Sequence, residues 1–201
     1  MERRRFCLAL AAGIAFAPAR AAELVGGPCD GCELIHVGRP KSPGASLRLA
    51  PEGEPGEPLV LEGLILHADG RTPAAGVVLY LHQTDARGQY AGGKGRARRH
   101  GRLRGWLQTG ADGAYSIHTI RPVAYPGRDI PAHIHATVLE PGRNEYYLDD
   151  YVFSDDPLLA SDYATRAKNR GGSGVLRLER RDGTWHGRRD IVLGRNIPGY
   201  R

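Results

Sequence analysis

The sequence predicts an all-β protein, an antiparallel β-sandwich of about seven to nine strands with its functional residues in loops at strand ends. Three observations lead there. Glycine and proline are frequent, at 28 and 14 of 201 residues, so turns punctuate the chain at short intervals. Seven short runs at 59–66, 77–83, 114–119, 132–139, 146–153, 174–179 and 184–193 are apolar or alternate apolar with polar, the period of a strand with one buried face. Asp69-Gly70, Asp112-Gly113 and Asp182-Gly183 each stand between such runs, where a glycine accepts the positive φ of a tight hairpin turn.

In chain order, the first element is a targeting segment. Arg3, Arg4 and Arg5 precede an apolar run from Phe6 to Ala17 and small residues around Ala19-Arg20-Ala21, the pattern of a signal peptide cleaved near Ala21. The expectation is export to the periplasm or extracellular space. The Arg-Arg-x-Phe start also has the form of a twin-arginine signal, and the general secretory route fits as well. Loss of residues 1–21 removes four arginines and one glutamate and lowers the formal net charge from +6 to +3. No run approaches the roughly 18 consecutive apolar residues of a membrane span.

Residues 22–58 read as an extended arm rich in turn formers, including the acidic Pro51-Glu-Gly-Glu-Pro-Gly-Glu-Pro58. The arm carries Cys29 and Cys32, the two thiols left once Cys7 goes with the signal. In an oxidising compartment, and in a Gly/Pro-rich leader rather than at a helix start, this pair is expected to form a local structural disulfide rather than a redox or zinc site. Residues 59–201 read as one sandwich domain, a length suited to a single core. A short helix is expected somewhere in 157–170. The basic run Lys94, Arg96, Arg98, Arg99, Arg102 and Arg104 lacks the aromatic platform or motif of a nucleic-acid binder and reads as a solvated loop.

The chemistry-bearing residues lie between 90 and 135. In Pro131-Ala-His-Ile-His135 the two imidazoles are two positions apart, so on a strand they leave one face together while Ile134 leaves the other. Such a pair suits a shared metal and equally suits two histidines satisfied by ordinary hydrogen bonds. Tyr90 and Tyr125 occupy turns at strand ends, and each taken alone could equally be an amphipathic packing residue.

Seven ordered pieces then match a known family. They are Gly76-Val-Val-Leu-Tyr-Leu-His-Gln-Thr-Asp-Ala-Arg-Gly-Gln-Tyr90, Arg104-Gly-Trp-Leu-Gln-Thr109, Asp112-Gly-Ala-Tyr115, Thr119-Ile-Arg-Pro122, Tyr125-Pro126, Pro131-Ala-His-Ile-His135, and Phe153 with Asp155-Asp156-Pro157. The chain resembles the intradiol ring-cleavage dioxygenases, the family of protocatechuate 3,4-dioxygenase and catechol 1,2-dioxygenase, over roughly residues 59–159. The resemblance implies a non-haem Fe(III) cofactor held by Tyr90, Tyr125, His133 and His135. It implies a catechol and O2 as substrates, a muconate-type diacid as product, and Tyr125 as both ligand and base. Ligand chemistry is consistent with this: a hard trivalent ion favours anionic oxygen and can strip the proton from a phenol of ordinary pKa about 10.

Three departures from the family bear on function. Its arginine three positions before the first ligand histidine is Ile130 here, and Arg128 is the candidate to stabilise charge on the substrate in its place. The aromatic residue after Tyr-Pro in the protocatechuate enzymes is Gly127 here, on a shortened Tyr125 to His133 connection, and the sandwich is expected to lack the N-terminal helical domain of the cytoplasmic catechol enzymes. Ile130 is also the ground for the alternative, a non-catalytic metal- or ligand-binding module that keeps the scaffold. Arg121 is a further residue of interest beside the phenolates.

The unreduced mature protein is expected to have the intact mass of a Cys29–Cys32 disulfide, two hydrogens short of the dithiol. Two free thiols, or a metal held by that pair, would assign the leader another role.

Overall fold

The computed structural model describes residues 24–201; the signal-peptide reading of residues 1–21 lies outside them. The described residues form two six-stranded sheets with few helices, the expected sandwich. The strands are β1 (Ser46–Arg48), β2 (Pro58–Leu66), β3 (Val78–Gln83), β4 (Arg104–Gln108), β5 (Ala114–Ile120), β6 (His133–Leu139), β7 (Tyr146–Tyr147), β8 (Tyr151–Phe153), β9 (Val175–Leu176), β10 (Glu179–Arg181), β11 (Thr184–Arg188) and β12 (Ile191–Val192). One short helix, α1 (Tyr163–Arg166), falls within the expected stretch. Among the described residues no helix is long and apolar enough to cross a membrane.

The first sheet runs β1-β5-β2-β11-β10 with β12 also on β2, and the second runs β4-β3-β6-β8-β9 with β7 also on β6. Both are mixed rather than wholly antiparallel: β1 lies parallel to β5, β11 and β12 parallel to β2, and β9 parallel to β8. Of the three expected hairpin turns only Asp182-Gly183 joins paired antiparallel neighbours, β10 and β11; Asp69-Gly70 and Asp112-Gly113 stand where the chain passes from one sheet to the other, between β2 and β3 and between β4 and β5. The chain crosses again after β5 and after β9, and a crossing strand can return in either direction.

Three expected runs are each interrupted. The run 146–153 becomes β7 and β8, 174–179 begins with β9 and gives its last residue to β10, and 184–193 becomes β11 and β12. At Gly174 a built Cβ would stand 2.0 Å from the Asp150 carbonyl oxygen, so close backbone contact keeps this stretch glycine.

The segment before β2 is folded onto the sandwich rather than merely extended. Val25 and Leu49 enter the main core, and β1 pairs with β5. A single 3₁₀ turn, Cys32–His36, seats Ile35 against Val78 and Tyr80. Cys29 and Cys32 are joined as a disulfide with Cα atoms 5.6 Å apart. The basic run supplies much of the attachment. Arg99 pairs with Asp30 and Glu33, Arg102 pairs with Glu54, and Arg104 bonds the Val37 carbonyl at 2.9 Å while lying over Trp106. These cations tie the leader down instead of being left to solvent.

Burial of every residue in β3 follows from this cover. Leu79 and Leu81 face the core between the sheets, with Ile134, Ala136 and Val138 of β6. Tyr80 and His82 face the other way, under the leader and the 3₁₀ turn Gly95–His100. The outer face of the second sheet is thus itself a packed, polar-aromatic layer, and it carries His133 and His135.

Candidate metal centre

His133 and His135 open β6 and leave its outer face, as their spacing requires, while Ile134 is fully buried in the core. The register sets His135 opposite His82 of β3. Tyr90 lies beyond β3 in a turn built on Asp85, whose carboxylate accepts from the backbone N–H groups of Arg87 at 2.9 Å and Gln89 at 3.1 Å. Gly88 of that turn has φ +72°, and a Cβ there would stand 2.2 Å from the Ala124 carbonyl oxygen. Only glycine lets the Tyr90 turn lie against the backbone beside Tyr125. The Tyr125 loop is fixed from β3 as well, by Thr84 Oγ1 donating to the Val123 carbonyl at 2.7 Å and Gln83 Nε2 donating to that of Ile120 at 2.9 Å.

The four side chains converge. Tyr90 Oη is 2.7 Å from Tyr125 Oη, Tyr125 Oη is 3.2 Å from His133 Nε2, and His133 Nε2 is 3.2 Å from His135 Nε2. Each histidine has its other nitrogen engaged: His133 Nδ1 with the Pro131 carbonyl at 2.7 Å, His135 Nδ1 with Asp150 Oδ1 at 2.9 Å. Both acceptors lack a proton to give, so each Nδ1 carries the hydrogen and both Nε2 atoms present lone pairs. Two facing lone pairs at 3.2 Å repel unless a proton or cation lies between them. Donors about 3 Å apart are the spacing expected around one cation bound at about 2 Å. The residues therefore fit a metal, with two imidazole nitrogens and two phenol oxygens as donors.

The electrostatics set what a metal there would have to do. Burial, then the Tyr125 oxygen, pushes the Tyr90 phenol far up, and burial pushes Tyr125 up against the pull of its bond to Tyr90 and the Arg128 charge. Burial likewise lowers His133. Two phenols sharing a half-buried site become phenolates only beside a strong, hard cation. Asp150 shares a ligand-sized cluster with the two histidines, all donor atoms lying within 4.8 Å. Its Oδ1 is engaged by His135, which makes it that ring's orienting partner.

Arg128 sits on the Tyr125–His133 loop, exposed, with its backbone N–H on the Tyr125 carbonyl at 3.2 Å; Ile130 is 39% exposed at the same rim. Arg121 is not beside the phenols. It grips Asp155 through two bonds of 2.9 and 2.7 Å and lies between Phe153 and Trp185. A cavity of about 590 Å³ opens beside His135, lined among others by Asp150, Tyr147, Tyr163, Lys168 and Arg170. That volume is ample for one substituted aromatic ring.

Sequence reasoning missed Asp150 and His82. His82 is buried, its ring 4.5 Å from that of His135 and stacked on His100 with centroids 3.7 Å and planes 2° apart. Tyr80 Oη and His100 Nδ1 share a hydrogen bond of 2.9 Å. Burial first, and neighbouring positive charge second, holds His82 well below the ordinary imidazole range and brings His100 down to about 4.

A family model described as Dioxygenase matches residues 35–181. The chain is 32% identical over 155 residues to the 6-chlorohydroxyquinol 1,2-dioxygenase of Cupriavidus pinatubonensis, covering 63% of this chain and 53% of the relative. It is 32% identical over 128 residues to catechol 1,2-dioxygenase 1 of Acinetobacter lwoffii, covering 54% and 40%. The chain thus matches about half or less of the length of these relatives. Among solved structures, the dioxygenase domain of a dioxygenase carbohydrate-binding fusion from Streptomyces sp. SirexAA-E superposes with TM-score 0.55 at 29% identity, over 77% of this chain and 90% of that one. Catechol 1,2-dioxygenase from Acinetobacter sp. ADP1 shares the fold with TM-score 0.60 at 22% identity, over 77% and 59%.

The neutral His82–His100 pair makes stability depend on pH. Its folded pKa values are depressed, so the unfolded chain binds more protons as pH falls from about 6.5 towards about 4. Stability is then full above the unfolded value and declines through that window. The urea midpoint is expected to fall between pH 6.5 and 4, and His100→Gln to flatten the fall. A wild-type midpoint constant across that window would contradict a neutral pair.

Proposed function

Because the chain belongs to the intradiol ring-cleavage dioxygenase family, we propose that it is an exported, ferric-iron dioxygenase that cleaves a catechol between its two hydroxylated carbons with O2, giving a muconate-type diacid. The observation that carries the reading is the convergence of Tyr90, Tyr125, His133 and His135 with both Nε2 lone pairs turned inward. These four would hold the iron. The chemistry ferric iron supplies when bound is withdrawal of electron density from a chelated catecholate, which makes the ring reactive toward O2.

The protein's own residues do the rest. Tyr90 would be the anionic ligand that stays in place. Tyr125, on the loop that ends at His133, accepts one catechol proton at Oη as the substrate enters from the cavity beside His135. Arg128, two residues before Ile130 on the same loop, supplies positive charge near the reacting ring. Export rests on the N-terminal Arg3-Arg4-Arg5 and the apolar run behind it.

Purified protein given ferrous iron and air is expected to turn wine-red from phenolate-to-iron charge transfer. Tyr90→Phe should weaken the band and iron retention, and His133→Ala should release iron more fully. A wild-type protein that stays colourless would remove the functional reading, and a variant with unchanged colour and iron content would remove that residue from the ligand set.

Arg128→Ala, assayed by oxygen uptake against a panel of catechols with iron content matched, is expected to lose about 10²- to 10³-fold in turnover. Iron-replete protein with undiminished turnover on its best substrate would show that Arg128 has no such role. Iron binding without any oxygen uptake, in wild type, would favour the non-catalytic module.

A further inference from the structure

The two histidines are not backed alike. His133 Nδ1 donates to a neutral carbonyl, that of Pro131 at 2.7 Å, whereas His135 Nδ1 donates to the Asp150 carboxylate at 2.9 Å. A carbonyl orients a ring. A carboxylate orients it and also pushes electron density into it, so the far nitrogen becomes a stronger donor.

The position of Asp150 is held from several directions. Leu148 N donates to the Ala136 carbonyl at 3.1 Å, Asn169 N to Asp149 Oδ2 at 2.7 Å, and the Asp149 N–H to the Arg170 carbonyl at 3.2 Å. Gly174 lies flat against the Asp150 carbonyl, where a Cβ would not fit. Arg189 is the central clamp. Its side chain is buried, its guanidinium lies 4.4 Å above the Tyr151 ring, and NH1 donates to the Asp149 carbonyl at 2.8 Å. Among the described residues Arg189 has no carboxylate within ion-pair range. A buried cation so placed is costly unless negative charge stands close by, and the loop it clamps is the one that presents Asp149 and Asp150.

We propose that Asp150 is a positioning residue that makes the two histidines unequal: its negative charge makes His135 the stronger donor to the metal and leaves His133 the weaker one. The inference rests on iron being bound by the four-residue set. It goes further by assigning a carboxylate outside that set to the tuning of the metal. Three negative groups then serve one ferric ion, two phenolates by direct contact and Asp150 through an imidazole.

The test uses the full mature chain loaded with iron, comparing wild type with Asp150→Asn, Asp150→Glu and Asp150→Ala, and with melting of each metal-free protein as the control for folding. Asn keeps an acceptor for His135 and removes the charge; Glu keeps the charge. For Asn, transfer of iron to a chelator is expected to be about 10- to 100-fold faster than in wild type. Its visible charge-transfer band should move to longer wavelength, because a less neutralised ferric ion takes phenolate electrons more readily. Glu should stay nearer to wild type in both, and Ala should lose iron fastest. A role in folding alone would lower metal-free melting without moving the band. Asn with wild-type band position and iron loss would overturn the proposal while leaving the functional reading intact. A wild-type protein that takes up no iron would overturn both.

Discussion

The antiparallel pairing of β6 with β3 is the constraint on which the rest of the site depends. It runs over six residue pairs from Val78↔Leu139 to Gln83↔Ile134 and is buried on both faces. Ile134, Ala136 and Val138 are locked into the core, so His133 and His135 can only leave by the opposite face. Because side chains alternate, a slip of one residue would send the imidazoles into the core and the aliphatic residues to the site. Burying a Val or Ile side chain stabilises by about 1.5–3 kcal/mol and an Ala methyl by less, so misplacing Ile134 and Val138 together would make such a slip prohibitive. The hydrophobic core thereby sets the position of the histidines with no interaction between the histidines themselves being required.

The outer face needs its own cover, and the leader and the basic 3₁₀ turn provide it. His82, His100, Tyr80 and Trp106 form a run of rings beside His135, capped by Ile35 and by the Arg104 guanidinium. His82 Nδ1 is buried without a partner, an expense of roughly 1–3 kcal/mol set against the stacking it makes on both sides. A positively charged ring there would stand against His135 and repel any cation at the centre. A buried, neutral imidazole gives a flat polarizable support without that repulsion.

What the sequence made legible follows from which signals are local. β2, β3, β5 and β6 are bounded by Asp-Gly turns or Pro and carry clear apolar patterns, and they fall within a residue of the expected runs. β4 alternates Leu103, Gly105 and Leu107 inward, but its flanking arginines disguised it as part of a solvated loop. The purpose of those arginines, to hold Asp30, Glu33 and Glu54, involves partners at least 48 residues away in sequence, and no local pattern reports it. The same holds for the centre. The same-face placement of His133 and His135 is readable from spacing, while the approach of Tyr90 to Tyr125 depends on Gly88 touching Ala124 and entered only through resemblance to a family. Asp150 was legible in principle: a ligating histidine generally has an acceptor on its other nitrogen, and the acidic pair Asp149-Asp150 opens the strand that neighbours β6.

Charge balance links Asp150 to the gap left by Ile130. On the proposed assignment two phenolates and one carboxylate would just match a trivalent ion, and a bound hydroxide would give the resting centre one negative charge. A catechol that gave up both protons would bring two negative charges, while Tyr125 would lose one by accepting a proton and the hydroxide would take the other and leave as water. The Asp150 carboxylate cannot leave, so the substrate complex carries one negative charge in excess. Such an excess in a partly desolvated pocket is unfavourable by several kcal/mol unless a cation lies near. In the family pattern the arginine three residues before the first histidine stands where it could meet that need; here an exposed isoleucine occupies the position, and Arg128 is the cation on the same loop. Its charge already reaches the Tyr125 oxygen, where it opposes the upward shift of the phenol. A carboxylate fixed behind His135 and an arginine on the loop over Tyr125 are then two halves of one electrostatic arrangement: the first strengthens the hold on the metal, and the second makes the resulting negative charge tolerable once substrate is bound.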